Sequence, residues 1–92
     1  MGKPEIDEDQ FDEDRIDDAV LALMYLTLHP EGHSDLSRAW KSFDWDAMNR
    51  LYEKDLIFDP VNKAKSVVLT EEGRRRSEAL FKQMFVKRPI GP

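Results

Sequence analysis

The sequence predicts a mainly α-helical domain with one small β-hairpin. Apolar residues recur every three or four positions in several segments, which is the spacing of a buried helix face. Two short apolar runs, at 56–58 and 66–69, flank a turn sequence that contains Pro60 and Asn62, as the strands of a hairpin do. The chain has 92 residues, a length that supports one hydrophobic core and therefore one domain.

Charge is unevenly distributed along the chain, whose formal net charge is −5. Residues 1–20 hold nine acids and two bases, whereas residues 61–92 hold eight bases and three acids. This pattern excludes a wholly basic nucleic-acid binder but allows a basic patch toward the C-terminal end. Residues 1–13 are predicted to be a flexible acidic arm, because they carry too few apolar side chains to offset the entropy of ordering.

The first helix is predicted over residues 14–28, with Asp14 as its N-cap. One apolar face comprises Ile16, Ala19, Val20, Leu23, Met24 and Thr27. A second face comprises Leu21, Tyr25 and Leu28, on another side of the helical wheel. A helix that is apolar on two sides is either central in its domain or shared with another subunit. The sequence favours the central position.

Two shorter helices are predicted next. Pro30 and Gly32 end the first helix, and Ser34 offers a cap for a second helix over residues 35–41. Its inward residues would be Leu36, Ala39 and Trp40. Asp44 caps the third helix, for which a buried stripe of Trp45, Met48, Leu51 and Tyr52 is expected.

The hairpin and a fourth helix complete the domain. Thr70 caps the fourth helix, which extends to about residue 85 with an inward stripe of Gly73, Ser77, Leu80, Phe81 and Met84. A lone hairpin is marginal and must pack against helices. The order of elements predicts a winged helix over residues 14–86, with a three-helix core, a β-wing and a C-terminal helix. Residues 87–92 contain two prolines and are expected to fray.

Two stretches carry a distant family resemblance: Leu51-Tyr52-Glu53-Lys54-Asp55-Leu56-Ile57 and Val67-Val68-Leu69-Thr70-Glu71-Glu72-Gly73. They resemble the end of the third helix, the wing and the following helix in PadR-like and MarR-like winged-helix regulators. Asp55 stands where those families usually have glycine, so the left-handed end of the helix is less favourable here.

A closer resemblance rests on Asp17-Asp18-Ala19-Val20-Leu21-Ala22-Leu23, Ala39-Trp40-Lys41-Ser42-Phe43-Asp44-Trp45 and Asp59-Pro60-Val61-Asn62-Lys63-Ala64-Lys65-Ser66. These stretches resemble a functionally uncharacterised family of small bacterial proteins, over about residues 15–86. The resemblance implies the fold and no activity, because a fold does not determine a function.

A DNA-binding winged helix would read the major groove with its third helix. The residues suited to nucleic-acid contact are Asn49 and Arg50 on that helix, Lys63 and Lys65 on the wing, and Arg75 on the fourth helix. Acidic residues at both ends of the third helix oppose phosphate binding. The arginines at 74–76 fan out around their helix, where the pairs Glu71–Arg75, Glu72–Arg76 and Glu78–Lys82 have a favourable spacing.

Other chemistry has weaker signals. His29, Glu31, His33 and Asp35 are metal-ligand types, but Pro30 and Gly32 prevent the helix that would place the imidazoles together. The sequence has no cysteine, glycine-rich phosphate loop or nucleophile elbow, so we expect neither an enzyme nor a bound cofactor. Without an apolar run of roughly 18 residues, a cytoplasmic location is expected.

These observations favour a non-enzymatic interaction module that forms a homodimer. The residues predicted at the interface are Leu21, Tyr25, Leu28 and Trp40. The aromatic residues Trp40, Phe43 and Trp45 form either the core of the corner between the second and third helices or an exposed anchor. The alternative function is a DNA-binding transcriptional regulator that uses the third helix and the wing.

Overall fold

The structure of the protein is a computed structural model that describes residues 8–87. Within these residues the chain forms a mixed α/β domain. Its helices are α1 (Glu13–Met24), α2 (Trp45–Glu53) and α3 (Glu71–Phe85), and its strands are β1 (His29–Pro30), β2 (Ser37–Trp40) and β3 (Ser66–Leu69). Short 3₁₀ turns occupy Glu8–Gln10 and Tyr25–Thr27. Residues 1–7 of the predicted arm and 88–92 of the predicted tail lie outside the described residues.

Helix α1 is the central element, as the sequence favours. It packs against both α2 and α3, and it buries Leu21 and Met24 completely. Its N-cap is Asp12, whose carboxylate accepts a hydrogen bond from the amide of Arg15 at 3.1 Å, so the prediction of Asp14 as the cap is wrong. The last predicted turn is a 3₁₀ turn, which tightens the helix end.

The prediction of a second helix at residues 35–41 is wrong, because this segment contains β2. Strand β2 pairs antiparallel with β3, in a register that sets Ser37 opposite Leu69, and with β1, where His29 lies opposite Arg38. Ser34 accepts a hydrogen bond from the amide of Leu36 within the turn and caps no helix. A seven-residue segment is too short to hold a helix by itself, so pairing with β3 determines its conformation.

The order in the sheet is β1-β2-β3, which makes a small three-stranded antiparallel sheet. Residues 56–58, predicted as a strand, join the free side of β3 through a single bridge between Ile57 and Leu69. The amide of Phe58 donates to the carbonyl of Val68 at 2.8 Å. The sequence thus placed β3 correctly. Because residues 37–40 form a strand, the second of the three helices predicted for the core is not among the elements of the described residues.

Helix α2 begins at the predicted cap, but its buried residues differ from those expected. The carboxylate of Asp44 accepts a hydrogen bond from the amide of Ala47 at 3.1 Å, which confirms the cap. The buried residues are Ala47, Met48 and Leu51. Trp45 and Tyr52 are exposed, so placing them in the buried stripe was wrong.

A left-handed residue ends α2. Asp55 has φ of 60°, at the position where the sequence departs from the glycine of the resembled families. The amide of Leu56 donates to the carbonyl of Leu51, and the amide of Asp55 donates to that of Tyr52. These two bonds form a Schellman motif, which reverses the chain toward residues 56–58.

Helix α3 packs very closely on the segment that follows α2. The hydroxyl of Thr70 accepts a hydrogen bond from the amide of Gly73 at 2.9 Å, which confirms the predicted cap. A Cβ atom at Gly73 would lie 1.8 Å from the carbonyl oxygen of Leu56, so only glycine fits there. Ser77 is buried and donates to the carbonyl of Leu21 at 2.7 Å. Met84, predicted to face inward, is exposed.

Candidate functional site

A groove lined by aromatic and basic side chains lies between β2, the start of α2 and the end of the loop 59–65. We call it the tryptophan groove. Its volume is about 620 Å³, and its lining residues are Trp40, Lys41, Ser42, Phe43, Trp45 and Lys65. Trp40 is 49% exposed and Trp45 is 54% exposed. Such exposure of two tryptophans in one groove places a large apolar area in contact with solvent.

Strand pairing positions Trp40. It is the last residue of β2, and its amide donates to the hydroxyl of Thr27 at 3.0 Å. The imidazole of His29, on the neighbouring strand, lies 5.7 Å from the indole between ring centroids. Nδ1 of His29 is 2.8 Å from the carbonyl oxygen of Thr27 and, facing an acceptor, carries the proton. The indole of Trp40 is therefore supported by β1 and remains half exposed.

The orientation of α2 positions Trp45. Its helix buries Ala47, Met48 and Leu51, which turns the first residue away from the core. Phe43, two residues earlier, is partly buried and packs against the core. The aromatic residues of this corner thus divide between the two roles that the sequence left open, because Phe43 anchors the corner and Trp40 and Trp45 are exposed.

Lys41 ties the loop 59–65 to the groove. Its Nζ donates to the carbonyl oxygen of Pro60 at 2.6 Å and to the carbonyl and side-chain oxygens of Asn62 at 3.2 and 3.1 Å. The amide of Lys41 also donates to the carbonyl of Lys65. The three oxygens that accept from Nζ are uncharged, so these bonds position the loop without neutralising the ammonium of Lys41.

The structure disperses the residues predicted to contact nucleic acid. Asn49 is exposed on α2, and Lys63 and Lys65 are exposed on the loop 59–65. Arg50 is directed toward α1, where it pairs with Asp17. Arg75 pairs with Glu72 on α3. Of this set, only Lys65 lines the tryptophan groove.

A buried ion-pair cluster, formed by Asp17, Arg50 and Lys54, joins α1 to α2. The side chain of Asp17 is only 1% exposed. Nε of Arg50 lies 3.0 and 2.9 Å from its two carboxylate oxygens, and Nζ of Lys54 lies 2.8 Å from one of them. Glu13 and Asp14 add exposed contacts at the rim. The cluster balances the buried carboxylate with two cations on one helix face.

Burial would raise the pKa of the Asp17 carboxyl, but hydrogen bonds from Arg50 and Lys54 and their positive charges outweigh that effect, and the pKa lies below its usual value. The hydrogen bond to Asp17 raises the pKa of Arg50. At Lys54 burial would lower the pKa, but hydrogen bonds to Asp17 and Asp14 and their negative charges outweigh that effect, and the pKa is raised. All three groups are therefore held in their charged forms.

Sequence reasoning missed this cluster. A signal was present, because Asp17 precedes Val20 and Leu21 by three and four positions and so shares a face with core residues. Arg50 and Lys54 are likewise four residues apart, Arg50 within α2 and Lys54 at its C-cap. A carboxylate on a core face and two cations on one helix face together indicate a buried ion pair between helices.

The predicted interface residues are not equivalent in the structure. Leu21 is fully buried within the chain, so its assignment to an interface is wrong. Leu28 is half-buried and packs against the core. Tyr25 contacts Phe81 at 5.0 Å between ring centroids, and Phe81 contacts Phe85 at 5.7 Å. We call these three residues the aromatic row.

The charged side chains of helix α3 form ion pairs both within the helix and with α1. The predicted pair Glu78–Lys82 is confirmed, at 2.8 Å. Arg75 and Arg76 instead pair with Glu72 and Asp18, so the predicted pairs Glu71–Arg75 and Glu72–Arg76 are wrong.

The four metal-ligand types in the loop after α1 do not form a cluster. Glu31 pairs with Arg38 at 3.5 Å, while His33 and Asp35 are exposed. No group of three or more His, Asp or Glu side chains among residues 8–87 is arranged to hold a metal ion. Over the same part of the chain, no helix has the length and apolarity needed to cross a bilayer.

The fold and the groove define a small mixed α/β domain with an exposed aromatic surface. The family model described as "Domain of unknown function (DUF6429)" matches residues 12–87, and the chain belongs to this family. Over 78 residues it is 59% identical to "Uncharacterized protein y4hR" of Sinorhizobium fredii, a match that covers 85% of this chain and 99% of the relative. No solved structure matches the chain. The predicted membership of a functionally uncharacterised family of small bacterial proteins is confirmed.

Proposed function

We propose that this domain is a non-enzymatic interaction module that binds a partner protein through the tryptophan groove. One observation carries the proposal: Trp40 and Trp45 line one groove, and each keeps about half of its side chain exposed. Tryptophan is enriched among the residues that dominate binding energy at protein interfaces. Covering both indoles would remove a large apolar area from water, which favours association.

The chemistry of the groove supports binding over catalysis. Its six lining residues include three aromatic rings, two lysines and one serine, and no carboxylate or imidazole. Lys41 is held by the carbonyl oxygens of Pro60 and Asn62. A general acid or base with a reacting partner within hydrogen-bond reach is therefore missing from this lining.

A homodimer formed through the aromatic row is part of the same proposal. Tyr25 was expected at the interface from the sequence, and it adjoins Phe81. Leu26 and Phe85 beside them are exposed, which extends the apolar surface at this end of the domain. Sedimentation velocity at a low and a high protein concentration tests it. A mass that rises to twice the monomer supports the dimer, and a monomer at both concentrations contradicts it.

Affinity capture with a matched control tests the groove. Trp45→Ala removes one indole from the groove, whereas Tyr52→Ala removes an exposed aromatic ring from the same helix outside the groove. We expect proteins retained by the wild type to be lost with Trp45→Ala and kept with Tyr52→Ala. Equal retention by both variants would mean that the groove does not bind the partner.

A second candidate is a DNA-binding transcriptional regulator of winged-helix type, in which α2 and the loop 59–65 contact the duplex. One observation favours it: Lys63 and Lys65 are exposed on this loop and make no ion pair with the acids of residues 8–87. Arg50 is occupied by Asp17, which weakens this candidate. Lys65→Ala should reduce the salt dependence of duplex binding by about one unit of slope. Absence of duplex binding at low salt would eliminate it.

A further inference from the structure

We propose that the tryptophan groove selects a short acidic peptide segment that carries one bulky apolar side chain. This inference rests on the proposed interaction function and names the chemistry of the partner. Two properties of the lining support it. The aromatic rings favour contact with an apolar side chain, and the positive charge of the lysines favours carboxylates beside that side chain.

The groove is large enough to receive a bulky anchoring side chain together with the residues beside it. Its volume of about 620 Å³ lies within the range of roughly 300–1,000 Å³ that is usual for sites holding a small ligand. Phe43 is fixed against the core, while the strand pairing of Trp40 and the helix start at Trp45 hold the other rings in place. A groove built on such ordered elements binds an inserted side chain at a small cost in conformational entropy.

The charge of the lining is positive and is not compensated within the groove. Lys41 and Lys65 are its charged residues, and neither pairs with a carboxylate of the described chain. The acceptors that hold Lys41 are neutral oxygens of the loop 59–65. A carboxylate beside an inserted apolar side chain would accept a hydrogen bond from Lys65. The three N–H donors of Lys41 are taken by the loop 59–65, so Lys41 would attract a second carboxylate through its charge alone.

Aromatic rings and lysines also occur where single-stranded nucleic acid binds, but such sites track a strand along an extended basic channel. Here the groove offers two lysines, and the acids Asp44 and Asp46 line a separate depression together with Glu13. A strand that continued from the groove past the start of α2 would bring its regularly spaced phosphates to these carboxylates. A peptide can place its acids beside the lysines alone, so the observations favour a peptide.

Selection from a random twelve-residue peptide library displayed on phage tests the proposal and requires no identified partner. The immobilised full chain is the target, and Trp45→Ala serves for counter-selection. We expect the enriched peptides to share one aromatic or large aliphatic residue flanked by aspartate or glutamate. Trp45 is half exposed and its replacement opens no cavity in the core, so the counter-selection target should fold.

Enriched peptides with an apolar anchor but without acids would overturn the inference and leave the proposed function standing. Absence of enrichment over Trp45→Ala would overturn both. Tighter binding of a thymidine oligonucleotide than of the selected peptides would overturn the choice of a peptide partner.

Two charge reversals sharpen the result. Lys65→Glu should weaken binding of a selected acidic peptide about three- to tenfold at low salt. Lys87→Glu makes the same change in net charge at an exposed position that does not line the groove, and it should leave the affinity unchanged. Trp45→Ala should weaken the same peptide about thirtyfold or more. Equal effects of the two lysine reversals would contradict a specific contact with Lys65.

Discussion

The tryptophan groove includes the first residue of α2, and the ion-pair cluster includes its C-cap. The two regions differ in how far their side chains are buried and paired. In the cluster, Asp17 is buried, and ion pairs with Arg50 and Lys54 of the same chain balance its charge. In the groove, Trp40 and Trp45 stay half exposed, and the lysines beside them find no carboxylate among the described residues. The cluster is complete within one chain, whereas the groove leaves its aromatic rings and its charges exposed to solvent.

This difference separates stability from function along one short helix. Arg50 is a base-reading type in the sequence, yet the structure uses it to join two helices. Trp45 follows the spacing of a core residue, yet the structure exposes it. Substitutions in the cluster should therefore lower the free energy of unfolding, and substitutions in the groove should alter binding only.

The largest effect among the charged residues is expected for Asp17→Asn, which leaves Arg50 and Lys54 without their buried counter-charge. Because both cations retain partial access to water, we expect the free energy of unfolding to fall by about 2–4 kcal/mol. Urea denaturation measures the change. The matched control is Asp18→Asn, since Asp18 contacts Arg76 at the surface at 3.4 Å, and its loss should stay below about 1 kcal/mol. Equal losses for the two variants would mean that the buried cluster stabilises the fold no more than a surface ion pair does.

The stabilising effect of Asp17 should also depend on pH. Its pKa in the folded protein lies below the unfolded value of about 3.9, so its contribution is complete above that value and disappears as pH falls through the folded pKa. The difference in stability between wild type and Asp17→Asn should therefore shrink in acid. Denaturation at neutral pH and near pH 3 measures it. A constant difference would contradict the lowered pKa.

A smaller, opposite effect is expected where α2 ends. Asp55 adopts φ of 60°, a conformation that glycine reaches without steric cost. Asp55→Gly should raise the free energy of unfolding by about 0.5–1 kcal/mol, since relief of the left-handed conformation exceeds the added entropy of the unfolded chain. Thermal unfolding measures it, with Glu53→Gly inside the helix as the destabilising control. A loss of stability with Asp55→Gly would mean that the aspartate side chain stabilises this turn.

The smallest effect on stability is expected in the groove. Trp45→Ala removes a side chain that is 54% exposed, so the free energy of unfolding should change by no more than about 0.5 kcal/mol. The same denaturation assay measures it, and Met48→Ala, which empties a fully buried site on the same helix, should cost about 2–5 kcal/mol. A large loss with Trp45→Ala would assign this indole to the core and weaken the proposed function.

Local signals in the sequence predicted most of the features that depend on local chemistry, although the cap of α1 is Asp12 and not Asp14. The caps Asp44 and Thr70 and the left-handed residue Asp55 are all where the sequence indicates, because each involves hydrogen bonds or dihedral angles within a few residues. Strand β3 was also predicted, from a short run rich in valine that is bounded by a turn and a cap.

Features that depend on distant contacts were missed. Helical spacing at Leu36, Ala39 and Trp40 was outweighed by pairing with β3, which is nearly thirty residues away. The orientation of α2 depends on a contact with α1, where Arg50 pairs with Asp17. The helical wheel of α2 alone had placed Arg50 on the outward face. The groove was therefore only half predicted: its aromatic residues were singled out, but the position of Lys65 depends on how Lys41 holds the loop 59–65.

The tryptophan groove is unusually compact along the chain. Five of its six lining residues fall within one stretch of six, from Trp40 to Trp45, and Lys65 alone comes from elsewhere. Most binding sites are assembled from scattered segments and become visible only after folding. Here the motif Trp-Lys-Ser-Phe-Asp-Trp, with a lysine twenty positions later, can be searched for directly in other sequences. Such a search would separate the chains that have this surface from those that lack it.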